Sequence, residues 1–193
     1  MQPTLVATSF HRSGWVYEEK YDGWRMLAYK HGHHVRLVSR SGRDHTRRLP
    51  DLVGAIGALS LSAVILDGEV CIFDHRLVSR FEWLRARPRT EAATPPIFMG
   101  FDCLWVGGHD LREQELRVRR ARLEEVLAGQ DVLLPARRLA DHGLKAWAQV
   151  VERGYEGLVG KDPAAPYRGG RTLAWLKAKV PNYREGERGW DTS

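Results

Sequence analysis

Lys20-Tyr21-Asp22-Gly23-Trp24-Arg25 places an amine, a carboxylate, a glycine and a guanidinium within six residues. An amine can attack the α-phosphate of a nucleoside triphosphate and keep the nucleotide as a phosphoramidate. A glycine permits a tight turn and close approach of backbone to ligand. Arginine holds phosphate or carboxylate oxygens with its planar fork. The competing reading is a charged, solvated turn between two strands, and this run alone gives the two similar weight.

Outward from this run, hydrophobic periodicity sets the elements. Val16 to Lys20 reads as a strand that delivers Lys20 at its end. Trp24 to Lys30 and Val35 to Arg40 read as strands joined by a polar turn that holds Gly32 and the histidines His31, His33 and His34. Leu49 to Leu59 reads as a short helix with Pro50 in its first turn. Ala63 to Phe73 is a strand interrupted by Asp67-Gly68, and Leu77 to Arg87 reads as a helix stopping before Pro88. Ile97 to Val106 and Val132 to Arg138 read as strands, and Leu144 to Arg153 as a helix ending at Gly154. Leu158 to Lys161 and Leu173 to Val180 close the sheet. Residues 113 to 128 form an amphipathic helix with Leu116, Leu123, Val126 and Leu127 inward, which makes Arg117, Arg119, Arg120 and Arg122 its solvated face. The period switches between two and 3.6 without βαβ alternation, which argues an α+β domain with antiparallel sheets.

The 193 residues suffice for one packed domain, or two small lobes sharing a cleft. No run approaches the ~20 apolar residues of a membrane helix, and Met1 to Thr8 lacks the pattern of a secretory signal. The expectation is a cytoplasmic monomer without a membrane partner. Cys71 and Cys103 lie in apolar runs and read as buried free thiols. No C-x-x-C or H-E-x-x-H pattern marks structural zinc. A formal charge of +6, with Arg40, Arg43, Arg47 and Arg48 clustered, suits a polyanionic partner.

The opening run resembles the signature of the covalent nucleotidyltransferases: ATP-dependent DNA ligases, RNA ligases and mRNA capping enzymes. Four further segments are similar to that family's motifs, in the family's order: Ser39-Arg40-Ser41-Gly42, Leu66-Asp67-Gly68-Glu69-Val70, Glu156-Gly157-Leu158-Val159-Gly160-Lys161, and Trp175-Leu176-Lys177-Ala178-Lys179. Phe98-Met99-Gly100-Phe101-Asp102-Cys103-Leu104 resembles the adenine-stacking segment. The Leu66–Glu69 and Trp175–Lys177 forms look most like the ligase domains of bacterial end-joining repair. The fold implied is α+β, two antiparallel sheets flanked by helices with the nucleotide in the groove between them. The implied domain spans residues 1–180, with 181–193 a polar tail.

The resemblance also implies roles. Lys20 would attack the α-phosphate of ATP, and the lysyl-AMP would activate a DNA 5′-phosphate for nick or break sealing in repair. Glu18 would lie beside adenine and Phe101 would stack on it. Arg25 and Arg40 would contact ribose or phosphates, and Lys161 the sugar-phosphate. Lys177 and Lys179 would grip the α-phosphate. Asp22 fills the acidic position of the lysine motif, with no role fixed. Glu69, also near the ribose, and Glu156 would hold Mg2+ (or Mn2+), which suits oxygen ligands. A neutral lysine at pH 7.5 costs roughly 4 kcal/mol from its reference pKa, and nearby cations lower that cost. Against these roles stand plainer readings: Glu69 at a strand kink, Phe101 as core, Lys177 and Lys179 as a solvated strand face. Gly160 replaces a larger apolar residue usual in the family, which implies looser packing. An oligonucleotide-binding (OB-fold) barrel usually follows in the family, and the expectation here is a catalytic domain without one, so the expected partners are nicked or broken duplex DNA and a barrel or end-joining repair proteins on other chains. The alternatives are an RNA ligase, a capping-type enzyme, or a nucleotide- or DNA-binding module without catalysis.

Overall fold

The computed structural model describes residues 1–86, 90–181 and 183. Ten strands and three helices are defined among them: β1 (Gln2–Leu5), β2 (Val16–Lys20), β3 (Trp24–His31), β4 (His34–Ser39), α1 (Pro50–Ala58), β5 (Ala63–Cys71), β6 (Ile97–Val106), β7 (His109–Asp110), α2 (Leu116–Leu127), β8 (Leu133–Pro135), α3 (Gly143–Arg153), β9 (Gly157–Lys161) and β10 (Arg171–Lys179). The strands form two sheets. The smaller runs β1-β10-β9-β2, and the larger β4-β3-β5-β6-β7, with β8 beside β6. Most pairings are antiparallel as expected, but β1 joins β10 and β8 joins β6 in parallel.

Burial along β3 alternates strictly, so Trp24, Met26 and Ala28 point into the main core while Arg25 points the other way. That core lies between one face of the larger sheet and helices α1 and α2, with Leu52, Ile56, Leu123 and Leu127 meeting Val64, Leu66 and Phe98. Helix α3 covers the smaller sheet through Ala146 and Val150 against Tyr17, Leu158 and Ala178. Gly154 ends it at φ 72°, the left-handed turn that glycine makes without a Cβ penalty. The other faces of the two sheets are left to meet across a cleft. No helix among the described residues is long and apolar enough to cross a membrane.

The strand β5 is continuous through Asp67-Gly68, with register shifts against β6 at Ile65/Leu66 and Asp67/Gly68. A Cβ on Gly68 would stand 2.4 Å from the Phe98 ring, so the glycine is what lets the bulge close over that ring. Gly160 does not loosen packing: Phe10 fills the space, and an added Cβ would stand 2.7 Å from its ring.

Two further expectations fail. Of the segment expected as a helix from Leu77 to Arg87, the described residues hold the end of a turn and a short 3-10 stretch at Phe81–Leu84, and Arg87 lies outside the described residues. Asp74 Oδ1 accepts the N–H groups of Arg76 and Val78, while Oδ2 pairs with Arg80. A carboxylate that captures nearby N–H groups offers the backbone an alternative to the helix. Leu77 takes the left-handed conformation at φ 59° to complete the turn. The arginines of α2 are not all solvated either. Arg119 and Arg120 are buried, for reasons that lie at the site. Both cysteines are buried free thiols, as expected. Of the expected polar tail, only residues 181 and 183 are described.

Candidate active site

A cavity of about 600 Å³ opens between the two sheets. Lys20 reaches it from the end of β2, and Asp22 and Gly23 continue its wall. Gly23 has no room for a side chain, since a Cβ would stand 2.4 Å from the Val70 carbonyl. Asp22 is buried, and its N–H donates to Ser79 Oγ at 2.9 Å.

Lys20 Nζ donates to Glu156 Oε2 at 2.5 Å. Lys179 Nζ stands 3.1 Å from the other oxygen, Oε1, and the Glu156 side chain is 0% exposed. A buried carboxylate thus holds two cations, one from each strand flanking β9. Lys177 of β10 lines the cavity, whereas Glu156 and Lys179 lie behind the lining residues and meet it through Lys20. Lys177 therefore belongs to a site wall, and Lys179 is tied to the buried Glu156 rather than being part of a free solvated face.

Across the cleft, Glu69 pairs in register with Arg25. Burial pushes the Glu69 carboxyl up to about 7, against the pull of Lys20 and Arg25 and with a further push from Glu156. Arg25 is committed to structure. It forks onto Asp67 at 3.1 and 2.7 Å, donates to the Met1 carbonyl at 2.6 Å, and lies 5.2 Å over the Phe101 ring. Tyr167 donates to the same Asp67 at 2.7 Å. Arg40 stands exposed at the rim, bonded to Gln2 Oε1 at 3.1 Å.

One end of the cavity is aromatic. Phe101 meets Trp175 edge to face at 5.9 Å, and both line the space. Lys161 lies 4.7 and 4.3 Å from their ring centres and donates to Glu18 Oε2 at 2.5 Å. Its pKa is lowered by burial, against the pull of Glu18. Arg120 Nη1 takes the second oxygen, Glu18 Oε1, at 2.7 Å. Glu18 is therefore clasped by two cations and presents only acceptor lone pairs, which fits an amino group such as that of adenine. Phe101 is partly core and partly wall, so both readings of it hold at once.

The sequence left out the residues behind this first layer. Arg119 forks onto Asp102 at 2.7 and 2.9 Å, with neither side chain exposed, and also donates to the Ala165 carbonyl at 3.0 Å. Asp67 and Asp102 lie inside segments already recognised as motifs, so their position was a signal. The arginines gave none, because their partners come from distant strands.

The set Lys20, Glu156, Lys177, Lys179, Glu69, Glu18, Lys161 and Phe101 thus gathers in or against one cleft. It is the arrangement a covalent nucleotidyl transfer needs: an amine, a positive field and an aromatic base slot.

Comparison with known proteins agrees. The family model described as the ATP dependent DNA ligase domain matches residues 3–179. The multifunctional non-homologous end joining protein LigD of Pseudomonas aeruginosa is 36% identical over 170 residues, covering 87% of this chain and 20% of that protein. DNA ligase C1 of Mycolicibacterium smegmatis is 31% identical over 186 residues, 90% of this chain and 53% of that one. The chain therefore spans about a fifth of the length of the multifunctional relatives and half of the shorter ligase. Among solved structures, mycobacterial DNA ligase D complexed with ATP and MES superposes with a TM-score of 0.75 at 32% identity, over 92% of this chain and 60% of that one. The ligase domain from M. tuberculosis LigD gives 0.77, with the same identity and coverage. Fold, motifs and relatives converge, and the chain belongs to the ATP-dependent DNA ligase domain family.

Proposed function

We propose that Lys20 attacks the α-phosphate of ATP and carries AMP for transfer to the 5′-phosphate of nicked or broken duplex DNA. The observation that carries this reading is Lys20 Nζ at the cavity wall, held at 2.5 Å by a fully buried Glu156. The neutral amine forms a P–N bond while the bond from the α-phosphorus to the bridging oxygen breaks and pyrophosphate leaves. Glu156 Oε2 is the acceptor at hand for the proton that Nζ sheds. Lys161, Lys177 and Lys179 supply positive charge that offsets the charge on the phosphates. A DNA 5′-phosphate oxygen then displaces the lysine, and a 3′-hydroxyl displaces AMP to form the phosphodiester.

The donor set fits a magnesium ion. No group of three or more His, Cys, Asp or Glu gathers among the described residues. Magnesium, however, keeps several waters and binds through one or two carboxylates plus substrate phosphates. Glu69 lines the cavity and offers one carboxylate, and Glu156, whose two oxygens hold Lys20 and Lys179, would have to give up a lysine to offer a second. When bound, the ion would neutralise the phosphate oxygens beside Lys20.

The test is incubation with labelled ATP or GTP and magnesium, followed by denaturation and intact-mass measurement. An acid-labile adduct of one AMP is expected on the wild type and none on Lys20→Ala. An adduct persisting on that variant sinks the assignment, and charging by GTP in place of ATP moves the protein to the capping class.

A further inference from the structure

Lys20 is also fastened through its two neighbours in the chain, Glu19 and Tyr21, which themselves line the cavity. Alternation along β2 sends Glu19 to the face opposite Glu18 and Lys20. Glu19 is buried there, and Arg137 meets it: Nη1 donates to Glu19 Oε2 at 2.9 Å. The same nitrogen donates to the Tyr155 hydroxyl, and the guanidinium carbon lies 5.4 Å over the Tyr155 ring. The main chain of Arg137 joins in. Its N–H donates to the Tyr21 hydroxyl at 2.8 Å, and its carbonyl accepts the Glu19 N–H at 3.1 Å. The residues bound to Arg137 are therefore the one before Lys20, the one after Lys20, and the one before Glu156. Arg137 itself is not among the residues lining the cavity.

We infer that Arg137 is a positioning residue for adenylyl transfer, a clamp behind the strands that holds the backbones of Lys20 and Glu156 in the register at which amine and carboxylate meet. This rests on the ligase reading of Lys20. A lysine side chain has four rotatable bonds, so where its amine goes depends on how firmly its backbone is held. Arg137 ties β2 to the segment entering β9, and these strands carry the two partners. Glu19 Oε1 has no hydrogen-bond partner, so loss of Arg137 leaves the buried carboxyl without its close cation, with only the charge of Arg153 nearby. Glu19 then takes a proton or draws in water, and in either case β2 loses its tie to the segment entering β9. Misplacement by an ångström costs about 100-fold in rate.

Three variants test the clamp. Arg137→Ala removes it, Tyr155→Phe removes one bond while keeping the ring, and Arg137→Lys restores charge without the fork. Single-turnover charging at saturating ATP is expected to fall ~10- to 100-fold in Arg137→Ala and ~3- to 10-fold in Tyr155→Phe, with Arg137→Lys intermediate. The ATP concentration for half-maximal rate should stay within about threefold, because no nucleotide-facing group has changed. A second readout needs no ATP. Lys20, 14% exposed, should become several-fold more reactive toward an amine-acylating reagent in Arg137→Ala. Buried Lys30, bonded to the Gly57 and Leu59 carbonyls, should not. A rise at both lysines reports unfolding and overturns the inference, as does wild-type charging by Arg137→Ala or a loss confined to ATP affinity. If the wild type does not charge at all, the ligase reading fails, and the acylation pattern still judges the clamp.

Discussion

Glu69 carries a buried acid whose charge state matters to the cavity. Its carboxyl is raised from 4.5 to about 7, chiefly by burial. The folded protein thus holds a proton there through a pH window in which the unfolded chain has released it. Stability contributed by this group is present below about pH 4.5 and is lost as pH rises through 7. Glu69→Gln has no such proton to lose. Relative to wild type, the variant should gain about 1–3 kcal/mol between pH 5 and pH 8, a figure kept below the full linkage because the side chain is partly open to water. Urea unfolding at the two pH values measures it. An unchanged difference between the proteins at pH 5 and 8 refutes the assignment. Binding has the opposite sense, since a cation at Glu69 needs the carboxylate, so charging should weaken as pH falls below 7.

At the scale of elements, α2 joins the site through arginines that its own helical wheel places outside. Arg119 anchors it to Asp102 of β6, and Arg120 to Glu18 of β2. Breaking a buried pair by removing one partner costs about 3–5 kcal/mol, because the other charge stays buried. Arg119→Ala should therefore lower the melting temperature by roughly 6–20 °C. A change within a few degrees in a calorimetric scan would rule the anchor out. The same pair marks where reading the sequence stops. Strands β3 and β6 were legible, since Trp24, Met26 and Ala28 recur at period two and Ile97 to Val106 is a nearly unbroken apolar run. The cavity constellation was legible because short motifs preserve the spacing of its groups. Asp102 and Glu18 lie 17 and 102 residues from their arginines, and no periodicity within one helix reveals partners at such distances. The turn at Leu77 was hidden for a related reason. Asp74, just ahead of the segment, draws off its N–H groups, and a helical pattern of side chains does not register that competition. The strand β1 is only four residues, too short to carry a pattern, and takes its place from β10.

For the whole molecule, charge and order of assembly matter most. The net charge is +6, and Arg40, Arg43, Arg47 and Arg48 are exposed on one short stretch whose start lines the cavity rim. If these four meet phosphates, nick binding should fall about 100-fold between 50 and 200 mM salt, and Arg43→Ala should reduce the slope of log K on log salt by about one. A salt-independent affinity would deny the arginines this role. The contact between Lys20 and Glu156 joins residues 136 apart, and the bond between Thr4 and Thr172 spans 168. Long loops close late and slowly. During synthesis the ribosome releases Lys20 long before Glu156 and Lys179 exist, so under the proposed function a half-made chain displays the nucleophile without the groups that arm it. Acceptance of AMP would then work as a certificate of completion: only a polypeptide whose distant segments have found each other could be stamped.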